Sequence, residues 1–518
     1  MIPAAKLPLS PSETLATDSL DLSEPLQRWG IRTALLLATV TLARLAVIAT
    51  TEIANGEAYY YVWSRFPSWS YYDHPPLVAW LAWLTTQFSH SSFAIRLGPV
   101  LCSGLFGFLV YRLAERLFSP RAGFFAVAIV TVLPAFLITS YVLNPEAPLA
   151  PLWVLGLLCL ERLRQHDEWW RPVVLGAAVG AAFLAKYTGI LLIPVVLLYL
   201  LASPEARRWL RRPSLYLGGL AALIVALPAV VWNQLRGWPS LTLHFVERRS
   251  AFEIGPLIHN AGHVALGQFL AFHPLFFPGL IAALIFAIRR GRSDDRYRFL
   301  SLASWPVYLF FLAAMVTVRD AEVHWPMVAY VPVAIAAAGW LDERFDTLSW
   351  VFKWYLRLAV ALTVAGASLA YAYTHNAMLR RLVPTSIYDP NVEVFNEMDG
   401  WDQVASAIKD SASTLGAKTV VASCQYALCA HILTATDDRP PVYCPTLRRT
   451  GFDFLGRRAP PADAPVLYVT DDHYHDDPLE LMPGRDCQPL RVVAIEGDGR
   501  ILEHYRLSAC LPRGDANE

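Results

Sequence analysis

The stretch Ile31–Thr51 reads IRTALLLATVTLARLAVIATT. A run of this length and character matches the roughly 20 mostly apolar residues that a helix needs to cross a bilayer. The tail before it is rich in Ser, Pro, Asp and Glu. It lacks the short basic region and small-residue cleavage site of a signal peptide, so the run reads as a retained first span. Working outward, ten more candidate spans follow, at about 96–118, 122–141, 146–161, 172–186, 188–203, 215–233, 264–288, 298–317, 326–341 and 354–374. The segment near 75–89, HPPLVAWLAWLTTQF, is amphipathic and too short for a crossing, so it is expected to lie in the interface.

The whole composition agrees. The 518-residue chain is 55% apolar and 17% charged, with zero formal net charge. A soluble enzyme carries about 25% charged residues. The absence of net charge removes any global polyelectrolyte signal for nucleic acid. Seventeen Trp and 22 Tyr suit two wide membrane interfaces.

Arginines mark alternate loops: Arg112, Arg116 and Arg121; Arg162, Arg164 and Arg171; Arg207, Arg208, Arg211 and Arg212; Arg289, Arg290, Arg292, Arg296 and Arg298; and more weakly Arg344, Lys353 and Arg357. The positive-inside rule makes these loops cytoplasmic. Eleven spans from a cytoplasmic N-terminus place the C-terminus outside. Five of the seven cysteines (Cys424, Cys429, Cys444, Cys487 and Cys510) fall in the last 100 residues or so, consistent with an oxidising compartment. Cys102 and Cys159 lie in apolar runs; pairing is not legible. From about His375 the apolar runs shorten to strand length (KTVVAS, APVLYVT, LRVVAIEG) around one helical stretch, WDQVASAIKDSAS. The expected organisation is a tail over 1–30, a polytopic α-helical membrane domain over 31–374 and a soluble extracytoplasmic α/β domain over 375–518.

The outer loops carry the chemistry. The first, TEIANGEAYYYVWSRFPSWSYYDHPPLVAW (51–80), offers Glu52, Asn55, Glu57, Asp73 and His74 among aromatics such as Tyr60. The second holds Asn144 and Glu146, the third Lys186, and a late turn Arg319, Asp320, Glu322 and His324. Ionisable groups near membrane depth are costly and mark function by default. Each also has a plain structural account. Glu57 can be an interfacial charge, and Glu146 a helix cap. Lys186 can snorkel, Asp73 and His74 can shape the turn before two prolines, and His324 can be interfacial beside Trp325. His259, His263 and Glu253 have a spacing only suggestive of a divalent metal site.

EAYYYVWS (57–64) followed by SYYDHPPLVAW (70–80) resembles the first outer loop of the polyprenyl-phosphate-sugar-dependent glycosyltransferases. That group includes glycosyltransferase family 39, the dolichyl-phosphate-mannose–protein mannosyltransferases and the aminoarabinose transferases acting on lipid A. The resemblance continues through NPEAPLAPLW (144–153), LAKYTGILLIP (184–194), Pro228–Asn233 and EVHWP (322–326). It implies a GT-C fold and transfer of a lipid-phosphate-linked sugar to a glycolipid, polysaccharide or protein hydroxyl outside the cytoplasm, in a bacterial inner membrane. The family's first loop usually carries Asp-Glu, with the Asp as base; here Gly56 precedes Glu57. Its second outer turn usually has Asp where this chain has Glu146.

The expected mechanism is a single displacement with inversion. Glu57 is expected to act as base and Glu146 as second catalytic carboxylate. Lys186 and Arg319 are expected to meet the lipid phosphate, with His324 assisting and Tyr60, Asp73, His74 and Glu322 completing the substrate-binding set. The competing classes are a lipid-linked-sugar transporter or flippase and a catalytically inactive lipid-sugar-binding relative. A transporter should show matched repeats, and none is visible.

Overall fold

The computed structural model describes residues 23–248, 254–318, 321–375, 379, 381–384, 394–423, 426–445, 447, 449–472, 477–497 and 500–513. The membrane part is all-helical: α1 (Ser23–Ile48), α2 (Asn55–Arg65), α3 (Leu77–Thr85), α4 (Ser92–Leu117), α5 (Pro120–Val132), α6 (Pro134–Thr139), α7 (Glu146–Arg162), α8 (Arg171–Ala185), α9 (Leu192–Ala202), α10 (Pro213–Leu235), α11 (Pro239–Thr242), α12 (Ile254–Ala271), α13 (Phe277–Arg290), α14 (Asp295–Thr317), α15 (Met327–Arg344) and α16 (Trp350–His375). Among the described residues, five helices are long and apolar enough to cross a membrane: Gln27–Ile48, Ser92–Leu117, Pro213–Leu235, Asp295–Thr317 and Trp350–His375. The chain is thus a multi-pass membrane protein.

Local sequence explains the helix ends. Pro120, Pro134, Pro172, Pro213 and Pro239 sit in first turns, where the missing N–H removes no helical bond. Ser91 and Ser119 side chains accept from the N–H groups of Ala94 and Ala122.

Two expected spans are corrected. The run 122–141 is broken at Leu133, which is extended (φ −78°, ψ 124°) before Pro134, as the residue before proline is pushed out of the helical region. The run 264–288 is not one helix. It divides between α12 and α13 at a turn where His273 takes φ 71° before Pro274.

Close packing needs small residues. Gly176 and Gly180 let α8 lie against α10: a Cβ on Gly176 would stand 1.8 Å from the Gly218 carbonyl oxygen, and one on Gly180 would stand 2.5 Å from that of Ala222.

The C-terminal part holds helices α17 (Trp401–Leu415) and α18 (Tyr426–Thr436) and strands β1 (Thr419–Ala422), β2 (Val442–Tyr443), β3 (Val466–Thr470), β4 (Arg485–Gly497) and β5 (Arg500–Pro512). The sheet order is β2-β1-β3-β5-β4. β1 pairs parallel with β2 and β3, whereas β5 is antiparallel to β3 and β4. Disulfides join Cys429 to Cys444 and Cys487 to Cys510, while Cys102 and Cys159 are unbridged and Cys424 lies outside the described residues. This α/β part shares one apolar core with the first loop: Tyr59, Val62 and Trp63 of α2 belong to the same cluster as Leu428, Ile432 and Phe452.

Candidate active site

The loops that follow α1, α6, α8 and α14, together with the α/β part, line a cavity of about 1830 Å³. Glu57, Tyr60, Asp73, His74, Glu146, Lys186, Glu322 and His324 all line it. Eight expected residues from four separate segments thus converge; Arg319 lies outside the described residues. The cavity continues between membrane helices over an apolar wall that includes Ile138, Phe183, Leu191, Phe310 and Ala314.

Glu57 sits in the first turn of α2 and is 1% exposed. Its carboxylate forms an ion pair with Arg96 of α4, also 1% exposed. Arg96 Nε donates to Glu57 Oε1 at 2.8 Å, and the Leu143 N–H donates to the same oxygen at 2.8 Å. The Ala54 N–H donates to Oε2 at 3.0 Å. Arg96 Nη1 also reaches the Thr51 carbonyl and hydroxyl, at 3.0 and 2.7 Å. Glu57 therefore ties the first loop to α4 and to the turn before α7. Both oxygens are occupied, and protonation of Glu57 would leave a buried guanidinium without its counter-charge. Gly56 beside it is exposed, and a Cβ there would meet nothing within 4 Å.

Glu146 opens α7 and is 4% exposed. It is not the helix cap, because Asn144 Oδ1 accepts the Ala147 N–H at 2.9 Å. Instead its Oε1 pairs with Lys186 Nζ and lies 3.0 Å from His324 Nε2. Lys186 is 12% exposed and so does not snorkel. His324 Nε2 also lies 3.2 Å from Glu322 Oε2. Burial depresses the His324 imidazole, but the Glu146 carboxylate outweighs it, and the result lies above the ordinary value.

Asp73 and His74 do more than shape a turn. Tyr59 Oη donates to Asp73 Oδ2 at 2.6 Å. Burial pushes the Asp73 carboxyl above the usual carboxylate range, against the opposing pull of the Tyr59 hydrogen bond and the Arg248 charge. His74 has a buried Nδ1 without a hydrogen-bond partner among the described residues. Burial, then the Lys186 charge, hold it well below the ordinary imidazole value. His244 Nε2 meets the Asp73 carbonyl at 2.9 Å, and its ring lies 6.3 Å from that of His74.

Sequence reasoning missed Arg96, Tyr59, His244, Arg248 and Arg449. Arg96 was absorbed into the apolar run of its span, and only the unusual cost of an intramembrane arginine could have flagged it. Tyr59 was one aromatic among many. Among the described residues, no three His, Cys, Asp or Glu are grouped to hold a metal ion. Glu253 and the side chain of His259 lie outside those residues.

A family profile described as dolichyl-phosphate-mannose-protein mannosyltransferase matches residues 73–232. The lipid A galacturonosyltransferase RgtD of Rhizobium johnstonii is 28% identical over 355 residues, covering 67% of this chain and 72% of that protein. The undecaprenyl phosphate-alpha-4-amino-4-deoxy-L-arabinose arabinosyl transferase of Edwardsiella ictaluri is 29% identical over 328 residues, 58% of this chain and 54% of that one. The crystal structure of ArnT from Cupriavidus metallidurans bound to undecaprenyl phosphate superposes with a TM-score of 0.59 over 92% of this chain and 97% of that one, at 18% identity; this likeness speaks to the fold. The matches in sequence are thus to membrane glycosyltransferases named for lipid-linked sugars or for lipid A. In sequence the chain is similar to RgtD, and in fold to ArnT.

Proposed function

We propose that this chain moves a sugar from an undecaprenyl-phosphate donor onto lipid A at the non-cytoplasmic face of a bacterial inner membrane. The observation that carries this reading is a cavity with a charged head, Lys186–Glu146–His324, and an apolar wall running between membrane helices. A lipid-linked phosphate needs both. The names of the relatives supply the acceptor class. The arginine-rich loops would face the cytoplasm with the 1–30 tail, eleven crossings would form the 31–374 domain, and 375–518 would lie outside.

In this scheme the acceptor hydroxyl oxygen attacks the anomeric carbon. The bond from that carbon to the phosphate oxygen breaks, and the lipid phosphate leaves with the electron pair. Asp73 takes the hydroxyl proton. Among the other cavity carboxylates, Glu57 is locked to Arg96, Glu146 already holds two cationic partners, Glu247 accepts from Tyr72 Oη and Glu322 meets His324. Asp73 has a raised proton affinity, which suits a base working near neutral pH. Lys186, with Arg319, offers positive charge to the leaving phosphate, and neutral His74 is placed to gain a proton when that phosphate arrives. Tyr60 and Glu322 line the sugar's path.

The test is reconstitution of the full chain with labelled undecaprenyl-phosphate sugar and lipid A. Label on lipid A supports the reading. Label crossing the vesicle without a new glycosidic bond would make the chain a transporter.

A further inference from the structure

Membrane helices do not close the cavity alone. One stretch of its wall comes from the α/β part: Tyr426, Leu447, Arg449 and Thr450. That stretch is held against the first loop by several independent contacts. The Gly451 N–H donates to Tyr59 Oη at 2.7 Å, and Tyr59 is the residue that donates to Asp73. A Cβ on Gly451 would stand 2.3 Å from Tyr59 Oη and 3.0 Å from Trp63 Nε1, so only glycine permits this approach. The Phe454 ring stacks on Tyr72, with centroids 5.3 Å apart and planes at 20°, and lies 5.6 Å from Trp232. The Tyr426 ring sits 4.8 Å from Tyr59. The α/β part is therefore built into the site, and its residue 449 stands two positions from a direct contact to the Tyr59–Asp73 pair.

The charges in the cavity divide into two kinds. Lys186 is neutralised by Glu146, and Arg96 by Glu57. Arg449 and Arg248 line the cavity yet make no ion pair among the described residues. Arg449 acts electrostatically on Tyr72, and Arg248 on Asp73 and His74. An exposed guanidinium at the rim, carried by the part outside the membrane helices, suits an oxyanion arriving from outside. An unpaired arginine fork matches phosphate or carboxylate in a bidentate manner.

We propose that Arg449 is an acceptor-specificity residue, binding an oxyanion of the acceptor so that the acceptor hydroxyl comes to rest beside Asp73. The proposal rests on the transferase reading above and adds the element that selects the acceptor. Phosphate monoesters and sugar carboxylates on the acceptor share this chemistry.

The test measures transfer by the full chain in nanodiscs for the wild type, Arg449→Ala and Arg449→Lys. The acceptors are lipid A with both phosphates, lipid A stripped of phosphate monoesters, and phosphate-free lipid A bearing an acidic sugar. Loss of a charge-assisted contact should raise the acceptor KM of Arg449→Ala by about 10- to 100-fold, carried by KM more than by kcat. Arg449→Lys should recover part of it. Donor KM and thermal midpoint should hold. The penalty should vanish on whichever acceptor lacks the oxyanion that Arg449 reads, which separates phosphate from carboxylate. An unchanged acceptor KM, a rise confined to donor KM, or an equal loss on all three acceptors overturns the proposal. If the wild type transfers to no acceptor, the transferase reading fails. Direct binding of the same lipids then still decides the role of Arg449, since undiminished binding by Arg449→Ala overturns it.

Discussion

The two ends of the helical bundle use the same residue types to opposite effect. At the arginine-rich end several ion pairs reach water: Arg112–Glu115 is 40% and 23% exposed, and Arg121–Asp346 is 27% and 78% exposed, although Glu161, paired with Arg116, is 1% exposed. At the cavity end, Glu57–Arg96 is 1% and 1% exposed, and Glu146–Lys186 is 4% and 12% exposed. Solvent screens the first kind, so each pair contributes little. Desolvation makes the second kind all-or-none, because removing one partner leaves a buried charge. The exposed pairs at the first end therefore add little, while the buried pairs at the second fix how the loops meet.

The widest separation between the ends should come from Asp73. Asp73→Asn is expected to lower kcat/KM for transfer by about 100- to 10,000-fold with the thermal midpoint intact. Because burial raises its proton affinity, the acid limb of the wild-type kcat/KM profile should lie above the ordinary carboxylate value, with activity rising as pH rises through it. Near-normal transfer by the Asn variant would return the base role to another carboxylate.

Breaking the Glu57–Arg96 pair comes next. Glu57→Gln or Arg96→Met should destabilise by about 3–5 kcal/mol, seen as lost folded yield or a lower detergent melting temperature. A fully stable but inactive Glu57→Gln protein would instead restore Glu57 as base.

A smaller effect is expected at Gly56. The open space there and its place in the first turn of α2 should let Gly56→Asp fold with a gain of about 0.3–1 kcal/mol from the helix dipole. A fall in melting temperature would show that the space is needed.

His324 gives a pH handle. Its folded-state proton affinity is raised, so its pairing with Glu146 stabilises fully below the ordinary imidazole value and is lost as pH rises through the raised one. The wild-type melting temperature should fall across that window more than that of His324→Gln, and parallel curves would remove the pair from the stability account. At the other end, Arg112→Ala should shift stability by less than about 1 kcal/mol and leave transfer unchanged. A loss of activity there would break the division between the ends.

Much of this was legible in the chain. The apolar runs located most helices, and the runs at 418–423, 464–470 and 490–497 each became strand. Run length alone did not show that 264–288 bends at His273, because hydropathy averages over the turn although His273 and Pro274 mark it. Strands β2 and β5 were unread, since two residues carry no period and β5 mixes polar with apolar positions. In the site, Glu146, Lys186 and His324 were visible as charges out of place, but their union was not.

The sequence by itself determined that the protein lives in a membrane and that polar residues of certain loops share one face, because apolar run length and arginine bias are one-dimensional quantities. Only the tertiary structure decided which carboxylate is bound to an arginine, and that the α/β part lines the cavity. Those outcomes depend on which groups meet across 39 positions, as the Glu57 and Arg96 side chains do, or across 392, as Tyr59 Oη and the Gly451 N–H do. Desolvation then sets what each meeting is worth.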